Sequence, residues 1–235
     1  MKTIIKSKTI RILLKELVIE VEKSLDQLLS LKYSIEFKED NSPVSEIDFL
    51  LQQKIINFFS SKFKNAIYIS EELDNNPIYL EDGALYIVID PLDGTENFVS
   101  GIPIWGIAVS VWEYPNHLGS MLFLPELRKS IISGDKIKYN ESRIVGYSSS
   151  LDSVIISKID YEKENRIMGC SVFNFYNVIH RSYDKFYNYK GAHIWDSLAG
   201  LVIAREHGCI VYCDGREYSG EFLEPNKKHI FEVRH

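Results

Sequence analysis

The sequence predicts a mixed α/β fold for this chain of 235 residues, with helices and strands largely segregated along the chain (α+β). Apolar residues recur at helical spacing over the first 60 positions, whereas short apolar runs typical of buried strands fill 66–133. The strands of that middle region follow one another closely, which favours antiparallel meanders. Because no repeat and no long Pro/Gly/Ser linker interrupts the chain, we expect one domain, 1–235, with two closely packed halves of about 1–134 and 135–235.

Two amphipathic helices are predicted at the start of the chain. The first covers 8–31, and the polar stretch 38–43 separates it from the second. Ser45, with Asp48 three positions later, resembles a capping box at the start of the second helix. The apolar faces consist of Ile10, Leu13, Leu14, Leu17, Val21, Leu25 and Leu28 in the first helix, and of Ile47, Leu50, Leu51, Ile55, Phe58 and Phe59 in the second.

Five strands and then a mixture of shorter elements are predicted in the rest of the chain. A helix that ends at Gly208 fits the preference of glycine for the position after a helix. The predicted strands are 66–70, 84–90, 105–112, 120–124 and 129–133, followed by a strand at 153–157, a helix at 172–181, a strand at 185–189, a helix at 195–207 and a strand at 210–212.

Composition excludes several classes of protein. The net charge of −6 argues against general binding to nucleic acid or to an anionic membrane. The three cysteines are too few and odd in number for a disulfide framework, and no pair has zinc-site spacing. No apolar stretch is long enough to span a bilayer, and no signal-peptide pattern follows the first methionine, so we expect a cytoplasmic protein.

The segment Asp-Pro-Leu-Asp-Gly-Thr-Glu-Asn-Phe at 90–98 is the strongest indication of function. It follows an apolar run, and its proline-bent turn lets the Asp90 and Asp93 carboxylates converge, as oxygen ligands of Mg²⁺ require. Gly94 allows the backbone to approach a ligand, and Thr95 offers a hydroxyl to orient water. A helix beginning at Thr95 would add an anion site. A simple Asp/Gly turn explains one aspartate and the glycine, but not the whole segment.

Four motifs in one order resemble the inositol monophosphatase-like family of Mg²⁺-dependent, lithium-sensitive phosphatases. They are 90–98 with Gly-Ile-Pro at 101–103, Gly-Ala-His-Ile-Trp-Asp-Ser-Leu-Ala-Gly at 191–200, Ser-Glu-Glu at 70–72 and Ser-Pro-Val-Ser-Glu-Ile-Asp at 42–48. The resemblance implies a layered α-β-α-β-α sandwich, as in inositol monophosphatase and fructose-1,6-bisphosphatase, with the active site between two sheets. It also implies a homodimer.

The resemblance implies a site with two or three Mg²⁺ ions. Glu71, Asp90 and the carbonyl of Leu92 would hold the activating ion, while Asp90, Asp93 and Asp196 would hold the second. Several carboxylates in one pocket would repel one another strongly without cations.

The resemblance also implies the catalytic and substrate-binding residues. Thr95, polarised by Asp48, would help Glu71 to align the attacking water. The amides of Gly94 and Thr95 would hold the phosphate. The remaining substrate contacts would come from Asp93, Asp196, Lys38 and Tyr189; Tyr189 stands where inositol-cleaving members carry a glutamate.

Each of these residues has a simpler alternative role when it is taken alone. Asp48 and Asp196 could be helix-start carboxylates, and Glu71 could belong to a solvated turn. Lys38 could be a solvated lysine, and His193 is expected to be a structural hydrogen-bonding residue, because Mg²⁺ prefers oxygen ligands. The order of all four motifs favours the functional interpretation.

The predicted activity is Mg²⁺-dependent hydrolysis of a small phosphate monoester by a metal-activated water. The expected partner is a small phosphorylated metabolite, namely a sugar phosphate, a polyol phosphate such as that of inositol, or an amino-alcohol phosphate. The Tyr189 position puts inositol itself in doubt. Two alternatives stay open. One is a 3′-phosphoadenosine 5′-phosphate nucleotidase of the same family, and the other is a metal-binding regulatory homologue that has lost catalysis.

Overall fold

The computed structural model describes residues 7–32, 35–37, 43–73, 77–149 and 153–235. Its helices are α1 (Ser7–Glu22), α2 (Leu25–Leu29), α3 (Glu46–Ser60), α4 (Thr95–Val99), α5 (Ser153–Lys158), α6 (Ser171–Ile179) and α7 (Ile194–Glu206). Its strands are β1 (Ile35–Phe37), β2 (Pro43–Ser45), β3 (Ile67–Ser70), β4 (Leu85–Asp93), β5 (Gly106–Glu113), β6 (Asn116–Leu124), β7 (Lys129–Ile132), β8 (Ile144–Tyr147), β9 (Glu164–Ile167), β10 (Lys185–Ala192), β11 (Ile210–Cys213), β12 (Arg216–Glu217) and β13 (His229–Arg234).

The first sheet has the strand order β3-β4-β5-β6-β7, and both of its faces are covered. Strand β3 runs parallel to β4, and the other neighbours are antiparallel. Side chains of β4 alternate between two cores: Ile87 and Ile89 pack with α1 and α3, whereas Tyr86 and Val88 face α6 and α7. This double burial explains why β4 is a continuous apolar run in the sequence.

The second sheet has the order β12-β11-β13-β10-β8-β9, and α6 and α7 lie between it and the first sheet. Helix α7 is therefore buried on almost all sides, as its apolar sequence requires. Gly200 allows the close contact of α7 with α6, since a Cβ atom there would lie 2.3 Å from the Phe175 ring.

The outer face of the second sheet packs against α5 and the residues that follow it. Lys158 of α5 lies 4.3 Å from the centre of the Tyr189 ring, and Ile159 packs with Tyr147. The layers are thus α1/α3, first sheet, α6/α7, second sheet and α5, which confirms the predicted α-β-α-β-α sandwich. The two sheets fall on either side of residue 134, and the division into two halves at that point stays a prediction.

Several predicted elements need correction. The predicted strand 153–157 is wrong, because these residues form helix α5. The predicted first helix, 8–31, is divided into α1 and α2 near Ser24, whose hydroxyl bonds back to the carbonyls of Glu20 and Val21. Strands β1, β2, β8, β9, β12 and β13 were not predicted.

Candidate active site

The signature segment 90–98 is shaped by a bulge and a left-handed glycine. In the pairing of β4 with β5, Asp90 lies opposite Ala108 and Asp93 opposite Gly106, so β4 has one extra residue. Residues three apart on a regular strand point to opposite faces, and the bulge lets both aspartates serve the same site. Gly94 then adopts φ +89°, and a Cβ atom there would lie 3.1 Å from the Ile104 carbonyl oxygen.

Three carboxylates from different parts of the chain meet at the end of β4. Glu71 follows β3, which runs parallel to β4, so the two strands end at the same edge of the sheet. Asp196 comes from the first turn of α7. One oxygen each of Glu71, Asp90 and Asp196 lies within 4.8 Å of the others. The structure therefore brings together three of the predicted metal ligands.

Burial and repulsion from neighbouring carboxylates make Asp90 and Asp196 difficult to ionise. Burial, followed by repulsion from Asp93, Asp196 and Glu71, raises the pKa of Asp90 well above its ordinary value. Burial, followed by the Glu71 charge, raises the pKa of Asp196 to about 8. Asp90 is 1% exposed, and its Oδ1 has no hydrogen-bond partner among the described residues. A hard cation would neutralise the cluster and bind this oxygen, so the donor set fits Mg²⁺.

Asp93 lies beside this cluster and is held by the start of α6. Its Oδ2 accepts hydrogen bonds from the Val172 amide and from the Cys170 thiol, the latter at 3.0 Å. Burial raises the pKa of Asp93, and these hydrogen bonds partly offset the rise.

Thr95 lies between two of the predicted functional groups. Its hydroxyl is 3.4 Å from Asp48 Oδ1 and 3.1 Å from the Leu92 carbonyl oxygen. Asp48 is buried on the first turn of α3, so one carboxylate both starts that helix and faces Thr95. Gly94 is the N-cap of α4, and its amide and that of Thr95 therefore lie at a helix end where amides lack intrahelical partners.

A cavity of about 190 Å³ adjoins the carboxylates. Asp93 and Asp196 form one part of its wall. The rest is polar and comes from the ends of β8 and β10 and from the start of α6; it consists of Ser148, Ser149, Gly169, Cys170, Ser171, Asn174, Asn188, Lys190, Gly191 and Ala192.

Tyr189 does not line this cavity, and its predicted contact with substrate stays a prediction. Alternation along β10 directs Asn188 and Lys190 to the cavity, whereas Tyr189 lies on the opposite face and stacks on Tyr187 with 5.1 Å between ring centres. Asn188 and Lys190 were not predicted, because the period of two separates the two faces of a strand but does not tell which of them borders the cavity. Lys38 lies outside the described residues.

The start of α7 is organised as a capping box. The His193 amide donates to Asp196 Oδ2 at 2.9 Å, and the His193 ring stacks on Trp195 at 4.4 Å between ring centres. Asp196 therefore caps a helix and also faces the carboxylate cluster. The Nδ1 of His193 has no hydrogen-bond partner among the described residues, so its expected role as a structural hydrogen-bonding residue stays a prediction.

A second group of potential metal ligands consists of Cys213, Asp214 and His229. Both ring nitrogens of His229 are already engaged, one by Asp214 Oδ2 and the other by the Glu224 carbonyl oxygen, each at 2.8 Å. Lys227 also bonds to Asp214 Oδ2 at 2.8 Å. Both ring nitrogens therefore already have hydrogen-bond partners, and this group forms, with Lys227, a hydrogen-bonded cluster that joins β11 to β13.

Comparisons with known proteins agree with this geometry. The model of the "Inositol monophosphatase family" matches residues 6–232. An inositol monophosphatase of Dictyostelium discoideum is 24% identical over 223 residues, which are 82% of this chain and 82% of that protein. A fructose-1,6-bisphosphatase/inositol-1-monophosphatase of Methanothermobacter thermautotrophicus is 28% identical over 223 residues, 82% of this chain and 80% of its own.

The fold is also similar to solved structures. The crystal structure of an IMPase/NADP phosphatase complexed with Mg²⁺ and phosphate aligns with a TM-score of 0.80 and 17% identity, covering 97% of this chain and 91% of the other. Within the described residues, no helix is long and apolar enough to cross a bilayer.

Proposed function

Because the chain belongs to the inositol monophosphatase family and is a phosphatase of that family, we propose that it hydrolyses a small alcohol phosphate with the help of Mg²⁺. The observation that carries this proposal is the meeting of Glu71, Asp90 and Asp196 within 4.8 Å around a buried carboxylate oxygen that has no partner among the described residues. A phosphatase site can contain such a concentration of negative charge only when cations neutralise it.

The proposed ligands of the metal ions are those expected from the resemblance. One ion would be held by Glu71, Asp90 and the Leu92 carbonyl. A second would be held by Asp90, Asp93 and Asp196, and a third ion stays a prediction. When bound, Mg²⁺ would lower the pKa of a coordinated water and neutralise the charge of the phosphoryl oxygens and of the leaving alkoxide.

Side chains and backbone amides of the chain would orient the attacking water and bind the phosphate. Glu71 would accept a hydrogen bond from the attacking water, and Thr95 would orient the same water through its hydroxyl, which Asp48 polarises. The amides of Gly94 and Thr95 would donate to phosphate oxygens. The water oxygen forms a bond to phosphorus and the water gives up a proton. The bond between phosphorus and the ester oxygen breaks, and the leaving alkoxide takes up a proton to become an alcohol.

The cavity favours a small, polar leaving group. Its volume of about 190 Å³ is below the range of about 300–1,000 Å³ usual for larger ligands. Its described lining contains serine, asparagine and lysine side chains and no aromatic ring on which a nucleobase could stack. We therefore rank a sugar, polyol or amino-alcohol phosphate above 3′-phosphoadenosine 5′-phosphate.

Phosphate release from a panel of monoesters tests the proposal. The panel contains myo-inositol 1-phosphate, fructose 1,6-bisphosphate, histidinol phosphate and 3′-phosphoadenosine 5′-phosphate, each with and without Mg²⁺. Asp93→Asn is the inactive control, and Asp82→Asn, an exposed aspartate, is the matched control that keeps activity. Mg²⁺-dependent release that Asp93→Asn abolishes supports the proposal. Metal binding without release from any compound would favour the alternative of a regulatory homologue.

Three further features stay predictions. They are the cytoplasmic location, the homodimer and inhibition by millimolar Li⁺, and the last two derive from the resemblance alone. The regulatory alternative is weakened because a homologue without catalysis would first lack a metal ligand or the threonine. This chain keeps Glu71, Asp90, Asp93, Asp196 and Thr95.

A further inference from the structure

We propose that Cys170 is a positioning residue, which fixes the Asp93 carboxylate for metal binding by hydrogen bonding to it from the start of α6. The inference rests on the proposed function, because it assumes that Asp93 is a metal ligand. Cys170 Sγ lies 3.0 Å from Asp93 Oδ2, and the cysteine is 2% exposed. A cysteine thiol ordinarily keeps its proton at neutral pH, so the S–H group donates and the carboxylate accepts.

The sulfur atom joins the carboxylate to a helix. Cys170 is the N-cap residue of α6, and its Sγ accepts a hydrogen bond from the Phe173 amide at 3.3 Å. The Val172 amide donates to the same Asp93 oxygen that the thiol contacts. Asp93 is therefore bound to the positive end of a nine-residue helix through two donors. Because Asp93 Oδ2 is held in this way, Asp93 Oδ1 is the oxygen that would contact a cation.

The same junction is packed tightly by neighbouring residues. Asn97 Nδ2 donates to the Met168 carbonyl at 2.7 Å and to the Ile104 carbonyl at 2.8 Å. A Cβ atom on Gly94 would lie 3.2 Å from the Cys170 Cβ. The signature turn at the end of β4 and the segment that begins α6 therefore form one unit, and a change at Cys170 acts on Asp93 directly.

Three variants test the role of the thiol. Cys170→Ala removes the donor, Cys170→Ser keeps a donor, and Cys209→Ala removes a different buried thiol whose side chain contacts His235 instead. Mg²⁺ affinity is measured by calorimetry, the Mg²⁺ concentration for half-maximal activity by phosphate release, and folding by thermal unfolding in EDTA.

The expected result is a loss of about tenfold in Mg²⁺ affinity for Cys170→Ala, the lower end of the usual effect of groups that orient metal ligands, because the Val172 amide remains. Cys170→Ser should stay within about threefold of the wild type and Cys209→Ala within about twofold. If Cys170→Ala does not fold, Cys170→Ser decides, and a tenfold loss there contradicts the inference.

The outcomes separate this inference from the proposed function. Equal Mg²⁺ affinity in Cys170→Ala and Cys209→Ala would overturn the positioning role while leaving the phosphatase intact. Absence of Mg²⁺-dependent hydrolysis in the wild type would overturn the proposed function, and calorimetry would then still show whether Cys170 supports a metal site.

Discussion

Replacing Asp90 by asparagine should make the metal-free protein more stable while abolishing its activity. Asp90 is 1% exposed, its Oδ1 has no partner among the described residues, and burial and neighbouring carboxylates raise its pKa well above the ordinary value. Asparagine has nearly the same shape and no charge, and its amide can donate to the carboxylates of Glu71 or Asp196.

The size of the effect follows from the spacing of the charges. Two unit charges 4.8 Å apart, the largest separation in the cluster, repel by about 3.5 kcal/mol at an effective dielectric constant of about 20. Asp90 has two such neighbours, which gives about 7 kcal/mol when all three carboxylates are ionised. The cluster relieves part of this repulsion by taking up a proton, so we expect a net gain of about 2 kcal/mol, or about 4–8 °C in Tm.

Thermal unfolding in EDTA and in Mg²⁺ measures both effects. The variant should unfold at a higher temperature than the wild type in EDTA, and Mg²⁺ should raise the Tm of the wild type much more than that of the variant. Asp82→Asn should leave Tm unchanged within about 1 °C in both conditions. A lower Tm of Asp90→Asn in EDTA would refute the argument that this carboxylate is held against repulsion.

Three further predictions concern Thr95, His117 and Gly200. Thr95→Ala should lower kcat about 100-fold with KM nearly unchanged, and Thr95→Ser should restore most of it; equal losses in both variants would contradict the hydroxyl's role. Burial lowers the pKa of His117 to about 4, so the unfolded chain binds the proton more readily, and stability should fall by up to about 3 kcal/mol as pH drops from about 6.5 to 4. His117→Asn should flatten this dependence in urea unfolding at several pH values, and an unchanged slope would exclude His117 as its source. Gly200→Ala should cost about 2–3 kcal/mol because its Cβ would overlap the Phe175 ring, and Phe175→Leu in the same chain should recover part of the loss; full stability of the single variant would contradict the packing.

The sequence predicted the first half of the fold well because its patterns are strong there. Helices α1 and α3 are amphipathic, and β4, β5 and β6 are long apolar strands, so periodicity identifies them. The segment 153–157, Ser-Val-Ile-Ile-Ser, is rich in β-branched residues and suggested a strand, but a segment of this length takes its conformation from its surroundings, and it forms α5.

In the candidate site, local sequence motifs identified some residues, whereas contacts between residues distant in the sequence were not predicted. Recognisable motifs contain Glu71, Asp90 and Asp196, and the structure brings these three residues together. The sequence did not predict that Tyr189 lies outside the cavity, because both faces of the second sheet are covered and the sequence of β10 does not tell which parity faces the cavity. The hydrogen bond of Cys170 to Asp93 joins residues 77 positions apart, and no local pattern predicts it.

Diffraction from crystals soaked in Mn²⁺ and phosphate tests the central claim most directly, because Mn²⁺ substitutes for Mg²⁺ and its anomalous signal locates it. We predict a peak about 2.1 Å from carboxylate oxygens of Glu71 and Asp90, a further peak beside Asp93 and Asp196, and phosphate at the Gly94 and Thr95 amides. No peak at these carboxylates, or a peak only at Cys213, Asp214 and His229, would contradict it.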